Sequence, residues 1–223
     1  MCGTRQPIDD EGVERELMLR KATKIMATMT TKTMTRWTVW KRSSMGFVGM
    51  DGFSMYDAEG RLAFRVDNYS RSKTSLLLMD AKGKPLLSLK PKMLSIYDQW
   101  DAYEGEEEVG GHAKTRSNKP LFSMRRPSIL HSRVDMAEIF MNSLITDEEP
   151  RRFCVEGSFS SRSCKILRQR RGNYKEVVAQ ISRKKANSLV ELGDDVFSLI
   201  IKPEVDCELI MAFVVVMDRI CRK

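Results

Sequence analysis

From Trp37 onward the chain is a series of short segments with the pattern of β-strands. Trp37-Thr38-Val39-Trp40 alternates at every second position, as a half-buried strand does. Further segments of this kind predict strands at Gln99–Tyr103, Leu121–Met124, Met136–Met141, Phe153–Phe159, Ser163–Leu167, Val177–Ile181 and Val196–Ile201. The pattern therefore predicts a mainly β protein.

An internal repeat predicts two tandem β-hairpins. Residues 53–64 and 76–87 are related segments, and in each of them an Asp-Ala-x-Gly sequence separates two strands. Aspartate bonds the backbone across a turn, and glycine adopts a positive φ without strain. We therefore expect turns at Asp57–Gly60 and Asp80–Gly83 within an antiparallel meander. Arg171-Gly172-Asn173 predicts the turn of a further, basic hairpin.

The last part of the chain has a different pattern, because every residue of Leu209–Met217 is apolar. A surface helix would show a polar face at 3.6-residue spacing, so a helix here must be buried on all sides. Asp206 and Glu208 stand where a helix N-terminus favours negative charge, and Arg219 stands near the opposite end. Val214–Val216 favours a strand, which leaves that alternative open.

Around a dozen strands with one enclosed helix predict a closed antiparallel β-barrel of about twelve strands around a C-terminal hydrophobic α-helix. Closure removes exposed strand edges, and the helix fills a lumen that strand side chains alone do not fill. Residues 1–35 are predicted to form a flexible N-terminal leader, in which Asp9–Lys24 could form a short helix and residues 26–35 are low in complexity. Residues 36–223 are then one barrel domain.

Composition narrows the class of protein and its compartment. The 223 residues are 42% hydrophobic and 30% charged, which is typical of a folded globular protein. No apolar signal segment follows Met1, and the five cysteines form no Cys-x-x-Cys pair, which favours a reducing compartment. We therefore expect an intracellular protein, cytoplasmic or peripheral at the plasma membrane with the nucleus as an alternative, neither secreted nor transmembrane.

The residues that carry most enzyme chemistry are scarce. The two histidines, His112 and His131, lie in predicted loops far from any cysteine pair, and no glycine-rich phosphate loop is present. Asp57 and Asp80 are explained as turn residues rather than as a catalytic pair. The sequence therefore predicts no enzyme activity, no cofactor and no metal site.

The net charge of +8 is concentrated in one region. Residues 151–185 contain 11 Lys and Arg but only two acidic residues, and the rest of the chain is close to neutral. Such asymmetry indicates an anionic partner. The candidate anionic-ligand residues are Arg151, Arg152, Lys165, Arg168, Arg170, Arg171, Arg183, Lys184 and Lys185.

An ordered series of motifs resembles the plant LURP-one-related family over about residues 36–221. The motifs are Trp37-Thr38-Val39-Trp40-Lys41, Asp51-Gly52-Phe53, Tyr56-Asp57, Phe64-Arg65-Val66-Asp67-Asn68-Tyr69, residues 78–87, Gly157-Ser158-Phe159, Ser163-Cys164-Lys165-Ile166, Asp195-Val196-Phe197 and residues 210–218. That family resembles the tubby C-terminal domain and the phospholipid scramblases in fold. The resemblance implies a twelve-stranded barrel around a central C-terminal helix, and so favours helix over strand at Val214–Val216. The leader and residues 104–132 depart from the family pattern.

The resemblance also implies a function. Family members are associated with plant defence, membrane-tethered regulation has been suggested by analogy with tubby, and no enzymatic activity is established. We therefore expect a monomeric, non-enzymatic binding or regulatory module that docks on anionic phospholipids such as phosphoinositides. Two alternative functions remain open. The protein could bind nucleic acid or regulate transcription through the same basic face, or this face could serve as a protein-interaction scaffold. Lipid scrambling is disfavoured because the apolar run is shorter than the about 20 residues that span a bilayer.

Overall fold

The structure is a computed structural model that describes residues 34–41, 52–67, 75–93, 95, 98–105, 108–109, 112–113, 119–127, 135–142, 152–187 and 190–221. The strands within these ranges are β1 Thr35–Lys41, β2 Phe53–Tyr56, β3 Leu62–Asp67, β4 Leu76–Asp80, β5 Pro85–Pro91, β6 Gln99–Glu104, β7 Glu108–Val109, β8 His112–Ala113, β9 Phe122–Arg125, β10 Asp135–Met141, β11 Arg152–Ser158, β12 Ser163–Gln169, β13 Lys175–Arg183 and β14 Val196–Ile201. Helix α1 is Cys207–Cys221. Residues 1–33 of the predicted leader lie outside the described residues, so the leader stays a prediction there.

Twelve of the described strands form a closed antiparallel barrel in the order β1-β14-β13-β12-β11-β10-β9-β6-β5-β4-β3-β2, and β2 pairs with β1. The first strand of the barrel pairs with the last, Thr35 lying opposite Ile201. The predicted closed barrel is therefore confirmed. Strands β7 and β8 form a separate two-stranded ribbon. His112 thus lies in a strand rather than in the predicted loop, because a two-residue strand is too short to show an alternating pattern.

The two predicted hairpin turns of the internal repeat have the same geometry. The backbone N–H of Gly60 donates to the carbonyl of Asp57 at 3.1 Å, and that of Gly83 donates to the carbonyl of Asp80 at 3.1 Å. One carboxylate oxygen of Asp57 accepts the backbone N–H of Arg61 at 2.8 Å, and Asp80 is bonded in the same way by Lys84 at 2.8 Å. Both glycines have a positive φ, at 78° and 88°. Asp57 and Asp80 therefore act as turn residues, as predicted.

Helix α1 fills the barrel, which confirms the helix over the alternative strand. Its residues Ile210 to Met217 are completely buried. Phe213 contacts Phe122 and Phe153 edge to face, with ring centroids 4.8 and 5.4 Å apart. Inside a closed barrel a strand would have no neighbour to pair with, whereas a helix satisfies its backbone internally. The carboxylate of Asp206 caps the helix by accepting the N–H of residue 208 at 2.9 Å.

The course of α1 gives the barrel two distinct ends. We call the end where β14 stops at Ile201 and α1 begins the upper end, and the end where α1 stops at Cys221 the lower end. Because the barrel strands are antiparallel, the β12–β13 turn lies at the upper end, and the β11–β12 turn and the β13–β14 connection lie at the lower end. Among the described residues, no helix combines the length and apolar character needed to cross a membrane.

Basic side chains hold the lower end of α1. The Lys41 ammonium lies 2.8 Å from the carboxylate of Asp218, and only 13% and 3% of these side chains are exposed. Arg126 donates from both Nε and Nη2 to the backbone carbonyl of Ile220. These contacts place positive charge at the end of a helix whose dipole favours it.

Arg162 is a third basic residue at the lower end, and it is buried. Its guanidinium lies between the rings of Phe159 and Phe197, at 4.5 and 4.3 Å from their centroids, and its Nε donates to the carbonyl of Asp194 at 3.0 Å. Burial lowers the pKa of Arg162, and the Asp218 carboxylate is the largest opposing influence. Arg162 belongs to the basic run counted in the sequence, but it is part of the interior and not of a ligand-binding face.

Candidate functional site

The predicted anionic-ligand residues lie on the outer side of β11, β12 and β13 and in the connections beside them. The strand register places Arg168 opposite Glu176 and Lys165 opposite Gln180 on β13. Arg183 is seven residues beyond Glu176 along β13, which corresponds to roughly 23 Å at the rise of a β-strand. The residues therefore do not form one patch, because they separate towards the two ends of the barrel. Arg151 lies outside the described residues.

The upper basic group consists of six residues at the upper end, two of which were not among the predicted ligands. Its members are Arg152, Arg168, Arg170, Arg171, Lys175 and Lys202. The lower basic group consists of Arg183, Lys184 and Lys185. Lys165 is exposed between the two groups, and its Cα partner on β11 is Glu156.

Three cations of the upper basic group converge on one carboxylate. Glu176 accepts Arg168 at 2.9 Å, Arg170 at 3.0 Å and Lys202 at 3.0 Å. Hydrogen bonds from Lys202 first, and then from Arg168, lower the pKa of Glu176 to about 2. Glu176 is therefore ionised at any physiological pH and neutralises only part of the charge around it.

The β12–β13 connection carries further positive charge to the edge of the barrel. We call residues Arg170–Lys175 the hairpin tip. The N–H of Arg170 donates to the carbonyl of Tyr174 at 2.8 Å, and a single 3-10 turn at Arg171–Asn173 reverses the chain with Gly172 at a φ of 72°. The predicted turn is thus confirmed. The Arg170 side chain is 53% exposed and Tyr174 is 67% exposed.

The remaining members of the upper basic group are held by neighbours on β10 and β11. Lys175 lies 2.7 Å from Glu156, and the guanidinium of Arg152 lies over the ring of Phe140 at 5.3 Å from its centroid. In the sequence of β11 to β13, Glu156 and Glu176 are the only acidic residues. Five of the six basic residues of the group, all except Lys202, lie within β11 to β13 and the hairpin tip, and they outnumber the two carboxylates of that segment by three. Lys202 lies beyond β14 and is followed two residues later by Glu204.

The lower basic group is closer to neutral. Arg183 lies 3.1 Å from Asp194, and Lys185 lies 3.9 Å from Glu191, which also contacts Arg183 at 3.7 Å. Lys184 donates to the hydroxyl of Thr38 at 2.8 Å. Three cations here face two carboxylates, so this group offers an anion much less net charge than the upper one.

Lys175 and Lys202 are the two site residues absent from the predicted ligands. Lys175 belongs to the basic run seen in the sequence, whereas Lys202 was missed altogether. It lies outside the basic run, directly after β14, and its backbone N–H donates to the carbonyl of Val178 at 2.9 Å. This pairing brings its ammonium to Glu176, which is 26 residues earlier in the chain. Only the register of β13 against β14 could have revealed the contact, and an alternating pattern does not determine register.

The chemistry available at the upper basic group is the binding of anions. Arginine can hold a phosphate with two parallel hydrogen bonds, and lysine adds a mobile point charge. Within the described residues no group of three or more His, Cys, Asp and Glu side chains is placed to hold a metal ion. The exposed arginines and lysines of this group are suited to holding an anionic group.

Comparisons with known proteins agree with the fold and with the sequence motifs. A family model described as LURP-one-related matches residues 35–218. Protein LURP-one-related 8 of Arabidopsis thaliana is 38% identical over 188 residues, covering 83% of this chain and 86% of that protein. Protein LURP-one-related 12 of the same plant is 39% identical over 183 residues, covering 80% and 75%. The X-ray structure of a protein from Arabidopsis thaliana superposes with a TM-score of 0.57 at 21% identity over 86% of this chain and 93% of that one, which shows the fold alone.

Proposed function

The chain belongs to the LURP-one-related family, and we propose that it is a non-enzymatic regulatory module that docks on anionic phospholipid membranes through the upper basic group. In this proposal the protein acts as a monomer on the cytoplasmic side of the plasma membrane. We further propose plant defence as its setting, as the family resemblance implied. The docking is reversible and electrostatic, and requires neither a cofactor nor a covalent step.

The observation that carries the proposal is the convergence of Arg168, Arg170 and Lys202 on the single carboxylate of Glu176, beside an exposed basic turn. Glu176 holds the three cations together at one end of the barrel, yet it leaves most of their charge uncompensated. Each basic residue near an anionic surface contributes on the order of 1 kcal/mol. The excess of three positive charges within β11 to β13 and the hairpin tip then supplies roughly 3 kcal/mol of attraction to an anionic surface.

A nucleic acid is the main alternative ligand, since phosphate groups attract the same cations. Proteins that bind single strands also stack successive bases on several aromatic rings. In the described part of the upper end, Tyr174 is exposed, but Phe140 is covered by the guanidinium groups of Arg125 and Arg152 at 4.9 and 5.3 Å from its centroid. The aromatic surface therefore favours lipid over nucleic acid.

The test is flotation of the purified full chain with two kinds of vesicle. Vesicles of phosphatidylcholine alone should leave the protein at the bottom of the gradient, because they offer no net negative charge. Vesicles that also contain a phosphatidylinositol bisphosphate should carry the protein upward, and binding should weaken as salt is raised because the contacts are electrostatic.

Competition distinguishes the two ligand classes. An unstructured single-stranded oligonucleotide at equal phosphate concentration should leave most of the protein on the anionic vesicles. Absence of flotation with either kind of vesicle, together with binding of the oligonucleotide, would reject the membrane proposal in favour of the nucleic-acid alternative.

A further inference from the structure

We propose that the hairpin tip enters the interfacial layer of the anionic membrane with Tyr174 as its anchor, so that the upper end of the barrel faces the lipid. This inference rests on the proposed docking function. It goes beyond that function by naming the end of the barrel that contacts the membrane and the side chain that is inserted into it.

Tyr174 combines three properties that make it suited to an interface. It is 67% exposed, it follows a tight turn, and the surrounding residues Arg170–Lys175 include three basic residues and no acidic one. An aromatic ring with a polar hydroxyl prefers the headgroup level of a bilayer, where one edge is apolar and the other is hydrated. The arginines on the same turn can hold lipid phosphates while the ring is inserted.

Four other large apolar side chains of the described residues are exposed. Met34 is 54% exposed directly before β1 at the upper end, but it has no polar hydroxyl to suit the headgroup level. Trp40 is 48% exposed near the end of β1, at the lower end of the barrel.

The other two large exposed apolar side chains also lie at the lower end. Met93 is 83% exposed, but it follows β5 at the lower end of the barrel. Val190 is 50% exposed in the β13–β14 connection beside Glu191, also at the lower end. Unlike Met93 and Val190, Tyr174 lies beside the upper basic group, which has the larger excess of positive charge. Charge complementarity with an anionic membrane therefore selects the upper end as the one that faces the membrane.

The position of the hairpin tip also suits partial insertion. The backbone bond from Arg170 to Tyr174 closes the turn, and β12 and β13 beneath it are paired up to Gln169 and Lys175. The ring is thus carried by a paired hairpin rather than by a loose segment. Less conformational entropy is then lost when the tip is fixed on a surface.

The inference is tested with tryptophan placed at each end of the barrel. Tyr174→Trp and Met93→Trp are compared with the parent, whose own Trp37, Trp40 and Trp100 give the baseline fluorescence. Vesicles of phosphatidylcholine and phosphatidylinositol bisphosphate carry brominated acyl chains as the quencher. We expect quenching above the baseline for Tyr174→Trp and none above it for Met93→Trp.

Binding of Tyr174→Ala to the same vesicles gives a second readout. Loss of the inserted ring should weaken partitioning by about fivefold or more, whereas Tyr174→Trp should bind at least as well as the parent. Tyr174 is at the surface, so melting temperatures should match that of the parent.

The outcomes separate this inference from the docking function on which it rests. If the parent floats but Met93→Trp is the variant that is quenched, or if Tyr174→Ala binds like the parent, the upper-end anchor is wrong and docking stands. If the parent binds no vesicle, both proposals fail. Quenching of Tyr174→Trp by an oligonucleotide but not by vesicles would overturn the inference and identify Tyr174 as a base-stacking residue.

Discussion

Phe213→Asp should leave the protein unfolded. Phe213 is completely buried in the centre of α1, where its ring packs between Phe122 and Phe153. Loss of the ring costs about 3–5 kcal/mol, and an unpaired carboxylate in an apolar lumen adds several kcal/mol more. Their sum is comparable with the whole stability of a typical domain, which is about 5–15 kcal/mol.

The measurement is thermal melting followed by circular dichroism, with two matched controls. Phe213→Leu keeps the site apolar and should remain folded with a lower melting temperature. Val190→Asp introduces the same charge at a position that is 50% exposed and should melt like the parent. A soluble Phe213→Asp protein with a cooperative transition would show that α1 does not fill a closed barrel.

Asp218→Asn should lower the melting temperature by about 10 °C, which is the second largest effect we expect. Asp218 and Lys41 form an ion pair at 2.8 Å with very little solvent exposure. The buried guanidinium of Arg162 also gains from the Asp218 charge. Removing one partner of a buried pair leaves an uncompensated charge and costs about 3–5 kcal/mol.

A double-mutant cycle isolates the contribution of the pair. Lys41→Met combined with Asp218→Leu removes both charges and should be less destabilising than the sum of the two single replacements. Glu191→Gln, at the exposed contacts of the lower basic group, is the matched control and should change stability by about 1 kcal/mol or less. If Asp218→Asn melts with the parent, the ion pair does not hold the lower end of α1.

Local patterns predicted the parts of the fold that depend on local physics. Asp57 and Asp80 each determine a turn through bonds within five residues of chain, and both turns were predictable. The enclosed helix was predictable only in part. Val214–Val216 favours a strand, so the family resemblance was needed to choose between helix and strand for this segment. The closed barrel then accounts for a helix that is apolar on every side.

Contacts between distant segments were not predictable in this way. Lys41 and Asp218 are in contact because β1 and α1 both end at the lower end of the barrel. The sequence around neither residue indicates that the two form an ion pair. Arg162 looked like one more surface cation, but two phenylalanine rings cover it inside the barrel. The basic run itself was evident, yet its division into two groups depends on strand length and register, which alternation leaves undetermined.

The central claim of the account is that the upper basic group, and not the lower one, makes the contact with an anionic membrane. Two charge-matched double variants test this most directly in the same flotation assay. They are Arg170→Glu/Arg171→Glu at the upper end and Arg183→Glu/Lys185→Glu at the lower end, each changing the net charge by the same amount. The account predicts that the upper variant no longer floats with phosphatidylinositol bisphosphate vesicles while the lower variant floats like the parent. Equal losses, or a larger loss in the lower variant, would contradict it.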